Sequence, residues 1–148
     1  MLKRVGLMAG ILVSFTSAAQ ALTCTPLKVL GSGLTAINKS ISPPSALITG
    51  NNWNSDFIVP SGVRYREYVA TVRTEKNGQY DLKMVLKYSD ESMKTVFEQA
   101  ARPLGVNDSF SMTGKPQSAR KQPYQVNVLT GGTAVTGNSV TVKASGCR

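Results

Sequence analysis

Two stretches of strict alternation, joined by a short polar segment, constrain this chain more than any other feature. The first stretch places Tyr68, Ala70, Val72 and Thr74 at every second position, and the second places Tyr80, Leu82, Met84, Leu86 and Tyr88. A period of two puts side chains on one face of a β-strand. Asn77 and Gly78 between the stretches are a strong hairpin signal. The sequence therefore predicts two antiparallel strands joined by a tight turn.

The loop length of that hairpin sets its register. A three-residue loop over 76–78, with Gly78 in the left-handed conformation, matches like with like across the ladder. On one face the predicted neighbours are Thr74 with Tyr80, Val72 with Leu82, Ala70 with Met84, and Tyr68 with Leu86. On the other they are Arg73 with Asp81, Glu67 with Lys87, and Val69 with Val85. The Val69–Val85 pair is one candidate contact surface.

The first 21 residues have the pattern of a secretory signal peptide. Lys3 and Arg4 precede an apolar run, and Ala19-Gln20-Ala21 forms a small-x-small cleavage site. The apolar run is too short and wrongly flanked for a membrane span. We therefore predict export, to the periplasm or the exterior, with one domain over 22–148.

Cys24 and Cys147 are the only two cysteines. In an exported protein an even pair predicts a disulfide, which brings the two cysteines within about 7 Å, Cα to Cα. The first and last strands then lie next to each other. The alternative is a bridge between two chains.

Charge and composition exclude several functions. The chain has a formal net charge of +9 and no histidine. Without histidine, Ser-His-Asp and Cys-His arrangements and most zinc sites are excluded. The basic residues are dispersed, which argues against nucleic-acid binding. We expect a non-enzymatic protein with no catalytic residues, metal or cofactor.

Short apolar runs separated by turn signals about every ten residues are typical of an all-β sandwich. We predict an antiparallel sandwich of the immunoglobulin/fibronectin class with about seven or eight strands. Trp53, the single tryptophan, is expected to anchor the core, with a binding contact as the alternative. The segment 92–101 is ambiguous. Met93, Val96, Phe97 and Ala100 have helical spacing, but the β-rich surroundings favour a strand over one short helix.

A sandwich of this kind acts through loops or sheet edges. The loop over 114–123 carries adjacent Arg120 and Lys121 and is expected to be exposed. It is expected to be a solvated connector, with a contact site as the alternative; in a periplasmic inhibitor this loop would block the enzyme.

The leader, the cysteines at both ends of the mature chain and the strand run YVATVRTEKNGQYDLKMVLKY together resemble the small secreted interleukin-receptor mimic proteins of bacteria. The resemblance covers the mature chain and rests on layout. It implies a fibronectin-III-like sandwich, a strand-exchanged homodimer, and a virulence function in which host cytokine receptors are bound and immune signalling is modulated. It assigns no binding residues. The alternatives are a periplasmic assembly or pilus-like structural component and a periplasmic enzyme inhibitor.

Overall fold

The computed structural model of the protein describes residues 19–44 and 50–148. Within these ranges the chain forms ten β-strands and one 3-10 turn, Thr133–Val135. The strands are β1 (Cys24–Pro26), β2 (Lys28–Val29), β3 (Ile37–Ser40), β4 (Asn54–Ile58), β5 (Glu67–Thr74), β6 (Gly78–Lys87), β7 (Met93–Leu104), β8 (Ser109–Gly114), β9 (Gln125–Gly131) and β10 (Ser139–Cys147). Positions 1–18 of the predicted leader lie outside the described residues. Across the described ranges, no helix is long and apolar enough to cross a bilayer.

The strands form two antiparallel sheets. In sheet A, β5 lies between β8 and β10, while β1 and β3 pair one after the other along the far edge of β10. Sheet B has the order β2-β4-β9-β6-β7. The predicted all-β antiparallel sandwich is confirmed. The chain has more strands than predicted, and among them are two short ones near the start of the domain, β1 and β2, that join different sheets.

The core lies between the two sheets and is built from the alternating residues. Sheet A contributes Tyr68, Ala70, Val72, Met112, Val140 and Val142. Sheet B contributes Phe57, Tyr80, Leu82, Met84, Leu86, Val126 and Val128. These side chains are at most 1 % exposed. Full burial of each large apolar side chain stabilises the fold by about 1.5–3 kcal/mol. The inner faces of both sheets therefore consist mainly of buried aliphatic and aromatic side chains.

The predicted hairpin is wrong, although its buried faces are right. Strand β5 belongs to sheet A, and β6 belongs to sheet B. The two strands face each other across the core instead of pairing edge to edge. Either arrangement buries the same alternating residues, so the period of two cannot distinguish them. Val69 and Val85 consequently point to opposite outer faces, and the contact surface predicted from their pairing does not form.

The charged pairs predicted for the hairpin are replaced by other partners. Arg73 donates to Asn107 Oδ1 at 3.3 Å. The backbone N–H of Ala101 donates to Asp81 Oδ1 at 2.9 Å. Each polar side chain thus bonds within its own sheet or to a neighbouring loop.

A corner carries the chain from β5 to β6, and Gly78 is needed there for space. Gly78 does not have the positive φ that the hairpin required. A Cβ at this position would lie 2.6 Å from Val135 Cγ1, a distance that real Cβ atoms do not show. The Tyr80 hydroxyl donates to the carbonyl of Lys76 at 2.7 Å and so fixes the corner. The glycine therefore marks a crossover between sheets.

The segment 92–101 is extended, which confirms the strand and rules out the short helix. Strand β7 pairs with β6, but the register shifts twice along the ladder, between Tyr80 and Leu82 and between Met84 and Val85. Each shift is a β-bulge, in which an extra residue interrupts the period of two. Ala101 has a φ of 51° at one of them. The helical spacing does not correspond to one buried face, since Val96 and Phe97 pack against the core whereas Met93 and Ala100 are exposed.

The disulfide joins Cys24 and Cys147 within one chain, which answers the question that the sequence left open. Their Cα atoms are 4.0 Å apart across 123 residues of sequence. The two cysteines are partners in the ladder between β1 and β10. The prediction that the first and last strands lie next to each other is confirmed.

Candidate binding surfaces

The outer face of sheet B combines charged, amide and exposed apolar side chains. We call this surface the sheet B face. Its members come from β4, β6, β7 and β9 and are Asn54, Asp56, Ile58, Lys83, Val85, Lys87, Met93, Thr95, Gln125, Asn127 and Leu129. They line a shallow groove of about 440 Å³ and its immediate margin. Four strands that are distant in sequence therefore build one continuous surface.

Asp56 is the centre of a hydrogen-bond network on the sheet B face. Its Oδ1 accepts from Gln125 Nε2 at 2.5 Å and from Asn127 Nδ2 at 2.8 Å. Lys87 Nζ lies 3.5 Å from the same oxygen. Because Gln125 and Asn127 are largely buried, these bonds satisfy groups that water reaches poorly. The polar part of the surface is thus fixed before any partner arrives.

Two large apolar side chains extend from this face into solvent. Met93 is 68 % exposed and Ile58 is 41 % exposed. The ladders place Ile58 opposite Gln125, Gln125 opposite Lys87, and Lys87 opposite Met93. One row across the sheet therefore has an exposed apolar residue on each side of two polar ones, and Lys28 of β2 follows Ile58 at one edge.

Trp53 lies at the other end of the same face and is half-buried. Its indole N–H donates to the carbonyl of Ser42 at 2.9 Å. The ring covers Gly131, where a Cβ would lie 2.2 Å from ring atom Cδ2. The ring also packs against the core. The predicted core anchor is therefore confirmed in part, since the ring lies outside sheet B and not between the sheets.

Lys39 closes the seam between the two sheets. It belongs to β3 of sheet A, and its ammonium donates to the carbonyls of Asn52 at 2.6 Å and Trp53 at 2.9 Å and to Ser55 Oγ at 3.0 Å. Burial lowers the pKa of Lys39 to about 8, and the carboxylate of Asp56 opposes this shift. All three acceptors lie in β4 or directly before it, so these hydrogen bonds connect sheet A to sheet B.

The predicted basic loop contains one engaged cation and one exposed one. Lys121 Nζ lies 2.5 Å from Asp90 Oδ2 and 5.4 Å from the centre of the Tyr88 ring. Hydrogen bonds from Lys121 and Ser92 hold the pKa of Asp90 well below its usual range. The sequence alone does not distinguish the two cations. In the structure Lys121 holds its loop in place through the ion pair with Asp90, whereas Arg120 is exposed.

No group of three or more His, Cys, Asp or Glu side chains that could hold a metal ion occurs in the part of the chain that the structure describes. The sequence assigned no binding residues, and it missed the sheet B face. Asp56, Lys87 and Asn127 occupy outward positions of alternating strands, and this alternation does not distinguish a binding surface from an ordinary solvated face.

Comparison with known proteins gives architectural likeness alone. No family model matches the chain, and no curated protein matches it in sequence. A single-substitution variant of the family 29 carbohydrate-binding module CBM29-2 has 10% identity and a TM-score of 0.48, covering 86% of this chain and 93% of that chain. A structure described as carbohydrate-binding module family 29 has 11% identity and a TM-score of 0.47, covering 86% and 89%. AlgX from Pseudomonas aeruginosa has 12% identity and a TM-score of 0.48, covering 74% of this chain and 25% of that chain. We base no functional statement on these similarities.

Proposed function

We propose that this chain is an exported, non-enzymatic binding protein that docks a protein partner on the sheet B face. The observation that carries the proposal is the exposure of Met93 and Ile58 beside the ordered Asp56 network. The resemblance described above suggests the partner, a host cytokine receptor ectodomain, and a role in modulating immune signalling. The disulfide within the chain is typical of exported proteins and is consistent with this role.

The chemistry of the surface supports a protein partner. Protein interfaces combine apolar anchors with a polar rim that supplies hydrogen bonds. On the sheet B face the exposed Met93 supplies an apolar anchor, while Lys83, Lys87 and Asn54 supply charges and an amide. The groove is shallow and lies along a flat sheet, a shape that suits another protein's surface. Methionine is adaptable and is common at surfaces that accept more than one partner.

The inhibitor alternative receives less support. It requires a basic loop that is free to enter an enzyme's active site, and Lys121 is already paired with Asp90. The pilus-like alternative has no specific observation in its favour. The homodimer implied by the resemblance stays a prediction.

Two glutamate substitutions test the docking surface. Met93→Glu places a charge on β7 at the edge of sheet B, and the matched control Thr113→Glu places the same charge on β8 at the edge of sheet A. Both side chains are exposed, so both variants are expected to fold. Binding to a panel of soluble interleukin-receptor ectodomains is measured by surface plasmon resonance. Loss of an apolar anchor weakens binding by about tenfold or more.

The control variant is expected to bind within about twofold of the wild type, because surface changes outside an interface have little effect on affinity. Equal binding by Met93→Glu and the wild type would exclude this surface as the docking site. If no ectodomain binds the wild type, the cytokine-receptor assignment is wrong. Other protein partners should then be sought by affinity capture, in which a partner that docks on the sheet B face binds Thr113→Glu but not Met93→Glu.

A further inference from the structure

A basic depression lies beyond the end of sheet A, away from the residues of the sheet B face. We call it the basic bowl. It has a volume of about 470 Å³ and is lined by Arg64, Tyr65, Arg66, Lys115, Pro116, Ser118, Ala119 and Arg148. The residues come from three chain segments, which precede β5, follow β8 and follow β10. Its volume is in the range of small-molecule sites.

Four of the lining residues are cations and none is an acid. Arg64, Arg66, Lys115 and Arg148 are all exposed. Among the described residues, the ion pairs join Lys83 to Glu98, Lys87 to Asp56 and Lys121 to Asp90, and none involves a cation of the basic bowl. Like charges repel each other when they are brought together without a counter-charge. The fold therefore holds four cationic side chains around one depression, and within the described residues no side-chain carboxylate forms an ion pair with any of them.

The floor of the basic bowl is rigid. Gln122 Oε1 accepts from the Tyr65 backbone N–H at 3.2 Å and from the Tyr68 hydroxyl at 2.6 Å, and Gln122 Nε2 donates to the Tyr65 carbonyl at 3.1 Å. The Tyr65 ring lies against Gly146, where a Cβ would lie 2.5 Å from the ring. It also packs edge to face on the Tyr68 ring, with centroids 5.6 Å apart. One amide side chain and one glycine thus fix the position of Tyr65.

The cationic rim is attached to the same rigid frame. The backbone N–H of Arg66 donates to the Cys147 carbonyl at 2.7 Å. Arg148 exchanges two backbone hydrogen bonds with Thr23, at 2.9 and 3.0 Å, directly beyond the disulfide. The Tyr88 hydroxyl accepts from the backbone N–H of Gln117 at 2.9 Å and holds the segment that carries Lys115. Such pre-organisation lowers the entropic cost of binding a ligand.

We propose that the basic bowl binds a sulfate or phosphate ester group of a polyanionic ligand. A guanidinium group presents its N–H donors in a fork that matches oxyanions, and three arginines and one lysine line this depression. Pro116, Ala119 and Tyr65 form an apolar floor on which the uncharged body of the ligand can rest. Removal of the predicted leader, which carries Lys3 and Arg4, lowers the formal net charge from +9 to +7, and this remaining positive charge attracts polyanions over a longer range. The site is separate from the docking surface proposed above.

The test uses the mature chain, residues 22–148, with three soluble probes in isothermal titration calorimetry. A heparin-derived hexasaccharide supplies sulfate esters, inositol hexaphosphate supplies phosphate esters, and an uncharged maltohexaose is the control. We expect one or both polyanions to bind, with an affinity that falls as salt rises, and the uncharged sugar not to bind. The stronger of the two polyanions identifies which ester the site prefers.

Two double variants with the same change in net charge separate a built site from general positive charge. R64Q/R66Q removes two guanidinium groups from the basic bowl. R73Q/K143Q removes two cations from the outer face of sheet A, where they flank a depression of about 140 Å³. R64Q/R66Q is expected to weaken polyanion binding by about tenfold or more, because it loses two charge-assisted contacts. The second is expected to weaken it by about twofold through its long-range charge.

Equal losses in the two variants would overturn the proposal, because binding would then follow net charge. Failure of both polyanions to bind the wild type would overturn it as well. Unchanged melting temperatures verify that the variants are folded. The Met93→Glu variant is expected to retain polyanion binding, so a failure of this proposal is distinguishable from a failure of receptor docking.

Discussion

The outer faces of the two sheets differ, although their inner faces are nearly alike. We call the outward residues of sheet A the sheet A face: Val69, Thr71, Arg73, Ser109, Ser111, Thr113, Thr141, Lys143 and Ser145. This surface is dominated by hydroxyl groups. The sheet B face instead combines exposed apolar side chains with an ordered network of charges and amides. Burial requires apolar side chains on both inner faces, whereas the outer faces can carry many kinds of side chain. We therefore take the difference between the outer faces as an indication of which one binds a partner.

The difference extends to how each sheet is held together. Sheet A includes the disulfide, which secures the short strand β1 against β10. Sheet B contains no disulfide, and its longest ladder joins β6 to the edge strand β7. The covalent bond thus stabilises sheet A, whose outer face carries mainly hydroxyl groups. The following predictions test this comparison, from the largest expected effect to the smallest.

The double variant C24S/C147S is expected to lower the free energy of unfolding by about 2–5 kcal/mol, as removal of a native disulfide does in small secreted domains. Urea unfolding measures the loss. Hydrogen exchange should show the largest loss of protection in β1 and in the half of β10 that pairs with it, while β6 and β9 lose no more than the change in global stability. Equal loss of protection in both sheets would contradict the comparison.

The same samples also test the homodimer that the resemblance predicts. Light scattering gives the molar mass with and without reductant. Because the disulfide lies within one chain, a dimer that survives reduction would support strand exchange. A monomer under both conditions would remove that prediction.

Asp56→Ala should cost about 1–3 kcal/mol of stability, because the amide donors of Gln125 and Asn127 lose their acceptor in a largely buried setting. The matched change on the other face is Thr141→Val, which removes the 2.6 Å hydrogen bond from Thr141 Oγ1 to Asn38 Oδ1 at an exposed site. Its cost is expected to be within about 0.5 kcal/mol. Chemical denaturation compares the two, and similar costs would show that the outer networks do not differ.

Lys39, at the seam between the sheets, is expected to give the smallest effect, since solvent reaches part of its ammonium. Its folded-state pKa of about 8 is below its ordinary value of 10.5. Between these values the unfolded chain keeps a proton that the folded chain has released, so the free energy of unfolding rises with pH. Burial raises the pKa of Tyr68 and of Tyr88, so above about pH 10 the unfolded tyrosines ionise first and stability falls again.

Urea unfolding between about pH 7.5 and 9.5 isolates the lysine from the tyrosines. Lys39→Met should abolish the rise with pH across this window. The exposed Lys143→Met serves as the control and should retain it. A wild-type slope that persists in Lys39→Met would show that another group causes the pH dependence.

The sequence predicted which residues are buried but not which strands pair. Tyr68 and Leu82 both lie in the core as predicted, because alternation is a local property of each strand. Whether β5 and β6 pair or cross between sheets depends on contacts such as that between Gly78 and Val135, which are distant in sequence. The bulges in β7 depend likewise on its partner β6.

The candidate surfaces were beyond prediction for the same reason. Asp56, Lys87 and Asn127 become neighbours only when β4, β9 and β6 take their order in sheet B. The cations of the basic bowl come from three segments that are distant in sequence, before β5, after β8 and after β10. Alternation shows which residues face outward on each strand, but it does not show which outward residues become neighbours.

The bond between Cys24 and Cys147 also decides how the protein responds to mechanical force. A pull applied to residues before Cys24 and after Cys147 passes through the covalent bridge between two Cα atoms that are 4.0 Å apart. The strands between the cysteines form a closed loop that carries none of the tension. The oxidised domain therefore keeps its fold, its sheet B face and its basic bowl under a load that would unravel the same sandwich once the bridge is reduced.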